Sequence, residues 1–322
     1  MTDTSSIIDQ AITRESLYGT LAEPTYGGIT SFMRRRYTRD LRGVDLVISG
    51  VPFDTATSNR PGSRFGPRAI REASVQSAWT RHWPWEFDPF ELLACVDYGD
   101  CPFDYGTPEQ TPAAIRAHAR KILDTGAAML TLGGDHFISY PLLQAHAAKH
   151  GPLSLIHFDA HHDLECDGED KRIDHGSMFY HAVREGLIDP ARSIQIGQRT
   201  TIEDVMGLQV LNANEVHDRS ARELAEVIHG RVGDSPVYLT FDIDCLDPAY
   251  APGTGTPVCG GLSTHQALRI LRQLRGINLV GMDVVEVAPA YDHAEITSLA
   301  AAALAMEMIC LYAARHKLTG GR

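Results

Sequence analysis

Apolar residues along the chain fall into eight short runs that recur at roughly regular intervals. These runs cover residues 44–50, 93–98, 128–133, 153–159, 193–197, 208–211, 237–243 and 277–285. Segments with helical periodicity separate most of them, including Pro112–Asp124, Tyr140–Lys149, Ala221–His229 and Thr264–Leu274. Such alternation predicts a three-layer α/β/α fold with a mostly parallel sheet of about eight strands.

The same pattern bears on helix boundaries and on domain organisation. Ser220 and Ser263 each precede a predicted helix and are suitable N-caps. Residues 31–322 contain neither a repeat nor a long linker, and we predict that they form a single domain. Residues 1–30 lack strong periodicity and are predicted to form an N-terminal arm.

Composition and charge narrow the classes of partner. The chain has 322 residues, is 43% hydrophobic and carries a net charge of −12, which fits a globular protein with a sizeable core. The negative charge argues against nucleic acid or an anionic membrane as partner. The basic run Arg34–Arg36 is the main local exception, and we expect it to be solvated or to contact another subunit.

Six cysteines show no CxxC pairing, and the N-terminus lacks the basic and apolar regions of an export signal. Both features predict a cytoplasmic protein. The most apolar stretch, Leu299–Met306, is too short to cross a membrane and predicts a buried helix near the C-terminus.

Acidic residues and histidines end several of these apolar runs. The sequences are LTLGGDH at 130–136, HFDAHHD at 157–163 and TFDIDCLD at 240–247. In an extended chain, alternate residues point to one side, which would bring these side chains together. Crowded carboxylates are unfavourable unless cations neutralise them. Two nitrogen and four carboxylate ligands suit two divalent ions: His136, Asp159, His161, Asp163, Asp242 and Asp244.

The position of these residues in the predicted sheet supports a functional site. All of them lie at or just after the carboxyl ends of predicted strands, as do Asp283 and Glu286 at the end of the last strand. Open parallel α/β sheets bind their ligands at this edge. Acidic residues scattered at random would not collect there.

Taken together, the motifs GGDH, DAHHD and DIDCLDP resemble those of the ureohydrolase family, which includes arginases, agmatinases and related guanidino-acid hydrolases. The likeness runs from about Val44 to Arg315 and is strongest to the agmatinases. It also includes SRFGPRAIR at 63–71, DHGSMFY at 174–180, PGTGTPVCGGL at 252–262 and GMDVVEVAPAYD at 281–292. The resemblance implies an arginase-like fold and a homo-oligomer, either a trimer or a hexamer.

The resemblance also implies two Mn²⁺ ions per chain and a role for each site residue. One ion would be held by His136, Asp159, Asp163 and Asp242, and the other by Asp159, His161, Asp242 and Asp244. Cobalt, nickel and zinc stay open from sequence alone. His175 would be a proton shuttle and Glu286 the carboxylate facing the substrate guanidinium, although each could instead have a local structural role. Asp283 is expected to contact ligands without binding metal.

Two residues inside the motifs are expected to have no ligand role. His162 stands where the family often has a small hydroxyl residue, and Cys245 lies next to Asp244. If side chains alternate, both point away from the metals. We therefore predict that they are structural, and the alternative for His162 is that it tunes the surroundings of the site.

Agmatine, cleaved to putrescine and urea, is the substrate that the resemblance implies. The loop 164–174 carries Glu165, Asp167, Glu169, Asp170 and Asp174 against Lys171 and Arg172, and this acidic balance favours a distal ammonium. The two basic residues could instead receive a carboxylate, so guanidinobutyrate and guanidinopropionate are alternatives. A non-catalytic metal protein and a single-zinc deacetylase relative are further alternatives, against which the full set of ligands argues.

Overall fold

The computed structural model describes residues 9–19, 23–79, 81–166 and 174–318. Within them, nine strands form one sheet in which every pair is parallel. The strands are β1 Arg36–Tyr37, β2 Leu46–Val51, β3 Cys95–Asp100, β4 Ala128–Gly133, β5 Ser154–Phe158, β6 Ile194–Ile196, β7 Gln209–Leu211, β8 Val237–Asp242 and β9 Leu279–Val285. Their order across the sheet is β1-β3-β2-β4-β9-β8-β5-β6-β7, so the last strand in sequence lies at the centre, between β4 and β8.

Helices connect most of the strands and cover both faces of the sheet. They are α1 Gln10–Thr13, α2 Gly66–Ser74, α3 Pro89–Leu92, α4 Thr111–Leu123, α5 Ser139–His150, α6 Met178–Arg184, α7 Ala213–Asp218, α8 Ala221–Val232, α9 Thr264–Gln273 and α10 Ile296–Leu318. Ser220 and Ser263 cap α8 and α9 through capping boxes, which confirms their predicted role.

Two hydrophobic cores lie on opposite faces of the sheet. Leu46, Leu130 and Leu239 face the core covered by α2, α8, α9 and α10, whereas Val47 and Met129 face the core covered by α4, α5 and α6. Neighbouring residues of one strand thus enter different cores, as expected of a parallel sheet buried on both faces. The three-layer fold predicted from the sequence is confirmed.

The sequence missed one strand. Strand β1 is two residues long and, among the described strands, pairs with β3 alone, at the edge of the sheet. It lies in the basic run and has no apolar pattern, because an edge strand this short buries little surface. The other eight strands match the predicted runs to within one or two residues at most ends.

The prediction that the basic run is solvated is wrong for two of its three arginines. Arg34 and Arg35 are only 1% and 2% exposed. Arg34 donates from Nη1 to Ile29 O at 2.7 Å, and Arg35 donates from Nη1 to Gly19 O at 2.9 Å. The Arg35 guanidinium also lies 4.1 Å from the centre of the Phe90 ring. These two side chains therefore fasten the segment before them to the domain.

Helix α10 is longer and more apolar than the sequence pattern indicated. Its stretch Ile296–Arg315 has a mean hydropathy of 1.7, which in length and composition would allow it to cross a membrane. However, most of that stretch is buried inside the protein, against α2, α3, α9 and β9. The predicted buried C-terminal helix is confirmed, and burial against the sheet accounts for its composition.

Candidate metal centre

The predicted ligands come together at the carboxyl ends of four neighbouring strands, β4, β9, β8 and β5. Each strand ends just before or at its site residues, which lie on short turns. These are His136 in the 3₁₀ turn after β4, Asp159, His161 and Asp163 after β5, Asp242 at the end of β8, Asp244 in the next 3₁₀ turn, and Glu286 after β9. The parallel direction of the strands places all of them at one edge.

One group of candidate ligands surrounds His136. Its Nδ1 atom lies 2.9 Å from Asp163 Oδ2, 3.0 Å from Asp159 Oδ2 and 3.2 Å from Asp242 Oδ2. All four side chains are buried, and Nδ1 has no hydrogen-bond partner within the part of the chain that the structure describes. Three carboxylate oxygens therefore converge on one ring nitrogen without satisfying it.

The other ring nitrogen explains why this arrangement fits a cation. His136 Nε2 lies 2.8 Å from Thr240 Oγ1, and Thr240 donates its own proton to Asp283 Oδ1 at 2.5 Å. Thr240 must therefore accept from Nε2–H, which places the lone pair of a neutral His136 on Nδ1. A lone pair facing three carboxylates is repulsive unless a positive ion lies among them. The donor set thus fits a divalent metal.

A second group shares Asp159 with the first. His161 Nδ1 lies 3.1 Å from Asp244 Oδ2 and 3.3 Å from Asp159 Oδ1. The candidate ligand atoms of this group lie within 4.8 Å of one another. Asp242 adjoins it, because Asp242 Oδ1 accepts from Asp244 N at 2.8 Å. Two adjacent ligand groups with a shared carboxylate suit a pair of metals.

The charges in this cluster strongly perturb one another. Burial raises the pKa of Asp163 to about 7, together with the charge of Asp159. Burial and the charge of Asp244 raise the pKa of Asp242 well above its usual value. Burial also acts to raise the pKa of Asp159. The charge of His157 and the hydrogen bond from His136 outweigh burial and hold the pKa of Asp159 well below its usual value. Without a cation, the chain must therefore hold protons among these acids to relieve repulsion.

The ligands do not come together through an extended chain with alternating side chains, as the sequence predicted. Strand β5 ends at Phe158, so residues 159–163 are not an extended run with alternating side chains. Asp163 instead adopts a left-handed φ of 53°, and Glu286 one of 64°. Such conformations are unfavourable for residues with a Cβ and occur at sites where function demands them. The residues meet as predicted, but turns rather than strand alternation direct their side chains.

Glu286 and His175 lie next to the first ligand group. Glu286 Oε1 accepts from His136 N at 2.8 Å and lies 2.9 Å from His175 Nδ1. On its other side, His175 Nε2 lies 2.7 Å from Ser58 Oγ and accepts from Ser58 N at 3.0 Å. Burial opposes a charge on His175, but the hydrogen bond to Glu286 and the charge of that carboxylate raise its pKa to about 9.

Three expectations about flanking residues agree with the contacts. His162 Nδ1 lies 2.8 Å from Gln195 Oε1 and the thiol of Cys245 lies 3.5 Å from Ile196 O, so both side chains point away from the ligands. Asp283 contacts Ser139, Tyr238 and Thr240, and through Thr240 it reaches His136. Of the loop 164–174, residues 167–173 with Lys171 and Arg172 lie outside the described residues.

Sequence reasoning missed His157, Gln195 and Ser58. His157 Nε2 lies 2.7 Å from Asp159 Oδ2, within the first group. A signal for it was present, because a histidine two residues before Asp159 in a buried strand needs a polar partner. Gln195 and Ser58 lie on other segments, and no spacing in the sequence connects them with the site.

Comparison with known proteins gives a consistent result. The arginase family model matches residues 44–310. An agmatinase from Chromobacterium violaceum is 56% identical over 322 residues, which span 100% of this chain and 99% of that protein. The crystal structure of a hypothetical agmatinase from Burkholderia thailandensis has a TM-score of 0.95 at 58% identity, covering 98% of this chain and 99% of that one.

A more distant solved structure shares the fold. Proclavaminate amidino hydrolase from Streptomyces clavuligerus has a TM-score of 0.84 at 39% identity, covering 91% of this chain and 100% of that one. The family model spans most of the chain, including every candidate ligand, and the structure brings these ligands into two adjacent groups. The chain therefore belongs to the arginase family.

Proposed function

We propose that this protein is an agmatinase, which hydrolyses agmatine to putrescine and urea. The observation that carries the proposal is the 56% identity to an agmatinase over the whole chain, combined with a buried His/Asp cluster of the kind that holds two metals. A non-catalytic metal protein would have no use for the His175–Glu286 pair beside that cluster. A single-zinc enzyme would have no use for the second ligand group.

We propose that the cluster holds two Mn²⁺ ions. The first group would supply His136, Asp159, Asp163 and Asp242, and the second would supply Asp159, His161, Asp242 and Asp244. Four carboxylates among six ligands favour a hard ion such as manganese over softer metals. Bound at this position, two such ions would make water acidic enough to supply hydroxide near neutral pH.

Glu286 is positioned to orient the substrate. Its Oε1 atom is held by His136 N and His175, whereas its buried Oε2 atom has no hydrogen-bond partner among residues 9–19, 23–79, 81–166 and 174–318. A guanidinium N–H can donate to Oε2 through a charge-assisted hydrogen bond. This contact would hold the guanidinium carbon beside the cluster.

His175 is positioned to deliver the proton that the reaction requires. When the carbon–nitrogen bond of the tetrahedral intermediate breaks, the departing amine takes the bonding electrons and a proton. Charged His175 carries protons on both ring nitrogens, and Glu286 accepts from one of them at Nδ1. The other, on Nε2, is the one available for transfer, and the Ser58 hydroxyl can accept from it. Once that proton has left, Nε2 of the neutral ring accepts from Ser58 N.

The experiment that tests this proposal is urea release from manganese-loaded protein. Agmatine, arginine, 4-guanidinobutyrate and 3-guanidinopropionate are compared under identical loading. We expect the highest kcat/KM for agmatine, because the α-carboxylate of arginine would be desolvated near an acidic site without a partner. A guanidino acid that exceeds agmatine by about tenfold would show that the substrate is wrong but the hydrolase mechanism right. No urea from any compound would refute both.

We also propose that the protein is a cytoplasmic homo-oligomer, either a trimer or a hexamer. Exposed aromatic side chains such as Tyr26, Trp83 and Tyr105 support association, since large apolar surfaces are often buried between subunits. Buried thiols such as Cys95, Cys245 and Cys310 support a reducing compartment. Light scattering on the purified chain tests the first proposal, and cell fractionation tests the second.

A further inference from the structure

A row of hydrogen-bonded, buried polar side chains lies behind the first ligand group. His157 in β5 and Gln195 in β6 are register partners in the sheet, so their side chains share one face. Both are fully buried, and His162 after β5 is nearly so. Polar groups this deep in a protein require hydrogen bonds, and here they satisfy one another.

The orientation of the Gln195 amide follows from one contact. Its Nε2 atom lies 2.7 Å from the main-chain oxygen of His162, and a carbonyl oxygen can only accept. That atom must therefore be the NH₂ group, and the atom 2.8 Å from His162 Nδ1 must be the oxygen. It follows that His162 carries a proton on Nδ1 and donates it to Gln195.

The same amide fixes the protonation of His157. Gln195 Nε2 also lies 3.0 Å from His157 Nδ1, and because an NH₂ group donates, His157 Nδ1 must accept. The proton of a neutral His157 is then on Nε2, 2.7 Å from Asp159 Oδ2. Although His157 lies close enough to be a third histidine ligand, its Nε2 is already used in this hydrogen bond.

We propose that His157 is a positioning residue for Asp159, and that Gln195 and His162 keep it in the one tautomer that can do this. Asp159 is the carboxylate common to both ligand groups, so a donor at its Oδ2 orients ligands for both metals. The side chain of His162 points away from the site, but His162 would influence metal affinity through its contact with Gln195 and the contact of Gln195 with His157. The inference rests on the proposed role of Asp159 as a shared metal ligand.

The test compares paired variants of His157 in the full-length protein. His157→Gln places a side-chain N–H near the position of Nε2, whereas His157→Met has similar size and no donor. Mn²⁺ is titrated into metal-stripped protein, and the free ion is followed by its electron paramagnetic resonance signal. We expect His157→Met to bind Mn²⁺ at least about tenfold more weakly, since residues that orient ligands contribute roughly 10–100-fold. His157→Gln should recover most of this loss.

A second pair of variants tests His162, which lies at the other end of the hydrogen-bonded row from Asp159. His162→Asn retains a side-chain N–H near the position of Nδ1, whereas His162→Leu is similar in size and cannot donate. We expect His162→Leu to weaken Mn²⁺ binding about threefold or more and His162→Asn to restore it, because only a donor holds the Gln195 amide in its orientation. The melting temperature of the metal-free variants is measured as well. If His162 had a purely structural role, the loss of Mn²⁺ affinity would be matched by a loss of melting temperature.

The outcomes separate this inference from the proposed function. Equal Mn²⁺ affinity for His157→Met and wild type would overturn it, as would equal affinity for the two His162 variants. If His157→Met does not fold, the His162 pair decides alone. None of these titrations contains a substrate, so a wild-type protein that fails to cleave agmatine would refute the function and leave the inference intact.

Discussion

Carboxylates gather at two places on the sheet, and their charges are neutralised in different ways. In β3, Asp97 accepts from Arg71 Nε at 2.8 Å and Nη2 at 3.1 Å, and from Phe32 N and Gly99 N. Asp100 accepts from the same arginine at 2.6 Å. In the metal centre, the described residues include no arginine or lysine paired with the ligand carboxylates, and His136 Nδ1 lacks a partner.

The difference shows how a structural charge cluster can be distinguished from a ligand site. Where the chain supplies its own cation with matched geometry, every oxygen of Asp97 is satisfied and the cluster can only stabilise the fold. Where carboxylates and a ring lone pair converge without a cation, the missing charge must come from outside. Breaking each cluster should therefore have distinct consequences.

The largest effect is expected from Asp242→Asn in the metal centre. The amide has nearly the same shape but cannot neutralise a cation, and Asp242 is, with Asp159, one of the two ligands proposed for both groups. The variant should bind fewer than two metals per chain and lose at least about 100-fold in activity, the upper range for residues that merely support ligands. Elemental analysis and urea release measure the two effects. Two bound metals with normal turnover would show that the ligand assignment is wrong.

Arg71→Met, in the carboxylate cluster of β3, is expected to lower the stability of the fold without changing metal content. Removal of one partner leaves the fully buried Asp97 without its counter-charge, which should lower the free energy of unfolding by about 3 kcal/mol. Urea denaturation measures this loss, and metal content should remain normal in the folded fraction. The double variant Arg71→Met with Asp97→Asn should recover part of the stability. If the single variant instead loses metal while it remains fully stable, the two clusters are not independent.

A smaller effect is expected from His175→Ala, which separates proton delivery from metal binding. This side chain forms hydrogen bonds with Glu286 and Ser58, and within the described part of the chain it forms none with a proposed ligand. The variant should retain both metals and turn over at least about tenfold more slowly, since loss of a general acid costs this much or more. Elemental analysis beside the kinetics is the control, and an unchanged rate would contradict the role of His175.

The smallest effect is expected from Ser58→Ala, where only a hydroxyl is lost. The remaining Ser58 main-chain N–H can donate to neutral His175 but cannot accept from its charged form, so the pKa of His175 should fall. Glu286, Asp163 and Asp135 are the charged groups that act on this histidine, and they are unchanged. If the reaction requires charged His175, kcat is highest at pH values below the pKa of His175 and falls as the pH rises above it.

The measurement for Ser58 is therefore the pH dependence of kcat under identical manganese loading. The descending limb on the alkaline side should move to lower pH in Ser58→Ala, with a loss of about threefold in kcat near that limb. Ser58→Thr keeps a hydroxyl and should behave as wild type. If the Ala and Thr variants have the same profile, the hydroxyl has no part in proton transfer.

The sequence predicted the strands and the convergence of the candidate ligands because both depend on local patterns. Apolar runs had to be buried on both faces, and the acids that end them had to lie at one edge of a parallel sheet. The burial of Arg34 and Arg35 could not be predicted, because their partners are main-chain oxygens of a segment without periodicity. The contact of Ser58 with His175 depends on how two distant loops meet, which no spacing encodes.

The central position of β9 has a consequence for how the protein is made. Strand β9 separates β4, which precedes His136, from β8 and β5, which precede the other ligands. A ribosome synthesises residues 279–286 after all six proposed ligands, and until they emerge the sheet lacks the strand that joins its two halves. Strands β5 and β8 pair directly, so the second ligand group does not need β9, but His136 joins the first group only through β9. The first ligand group should therefore form only after β9 is translated, and a chain that stops before β9 should not bind two metals.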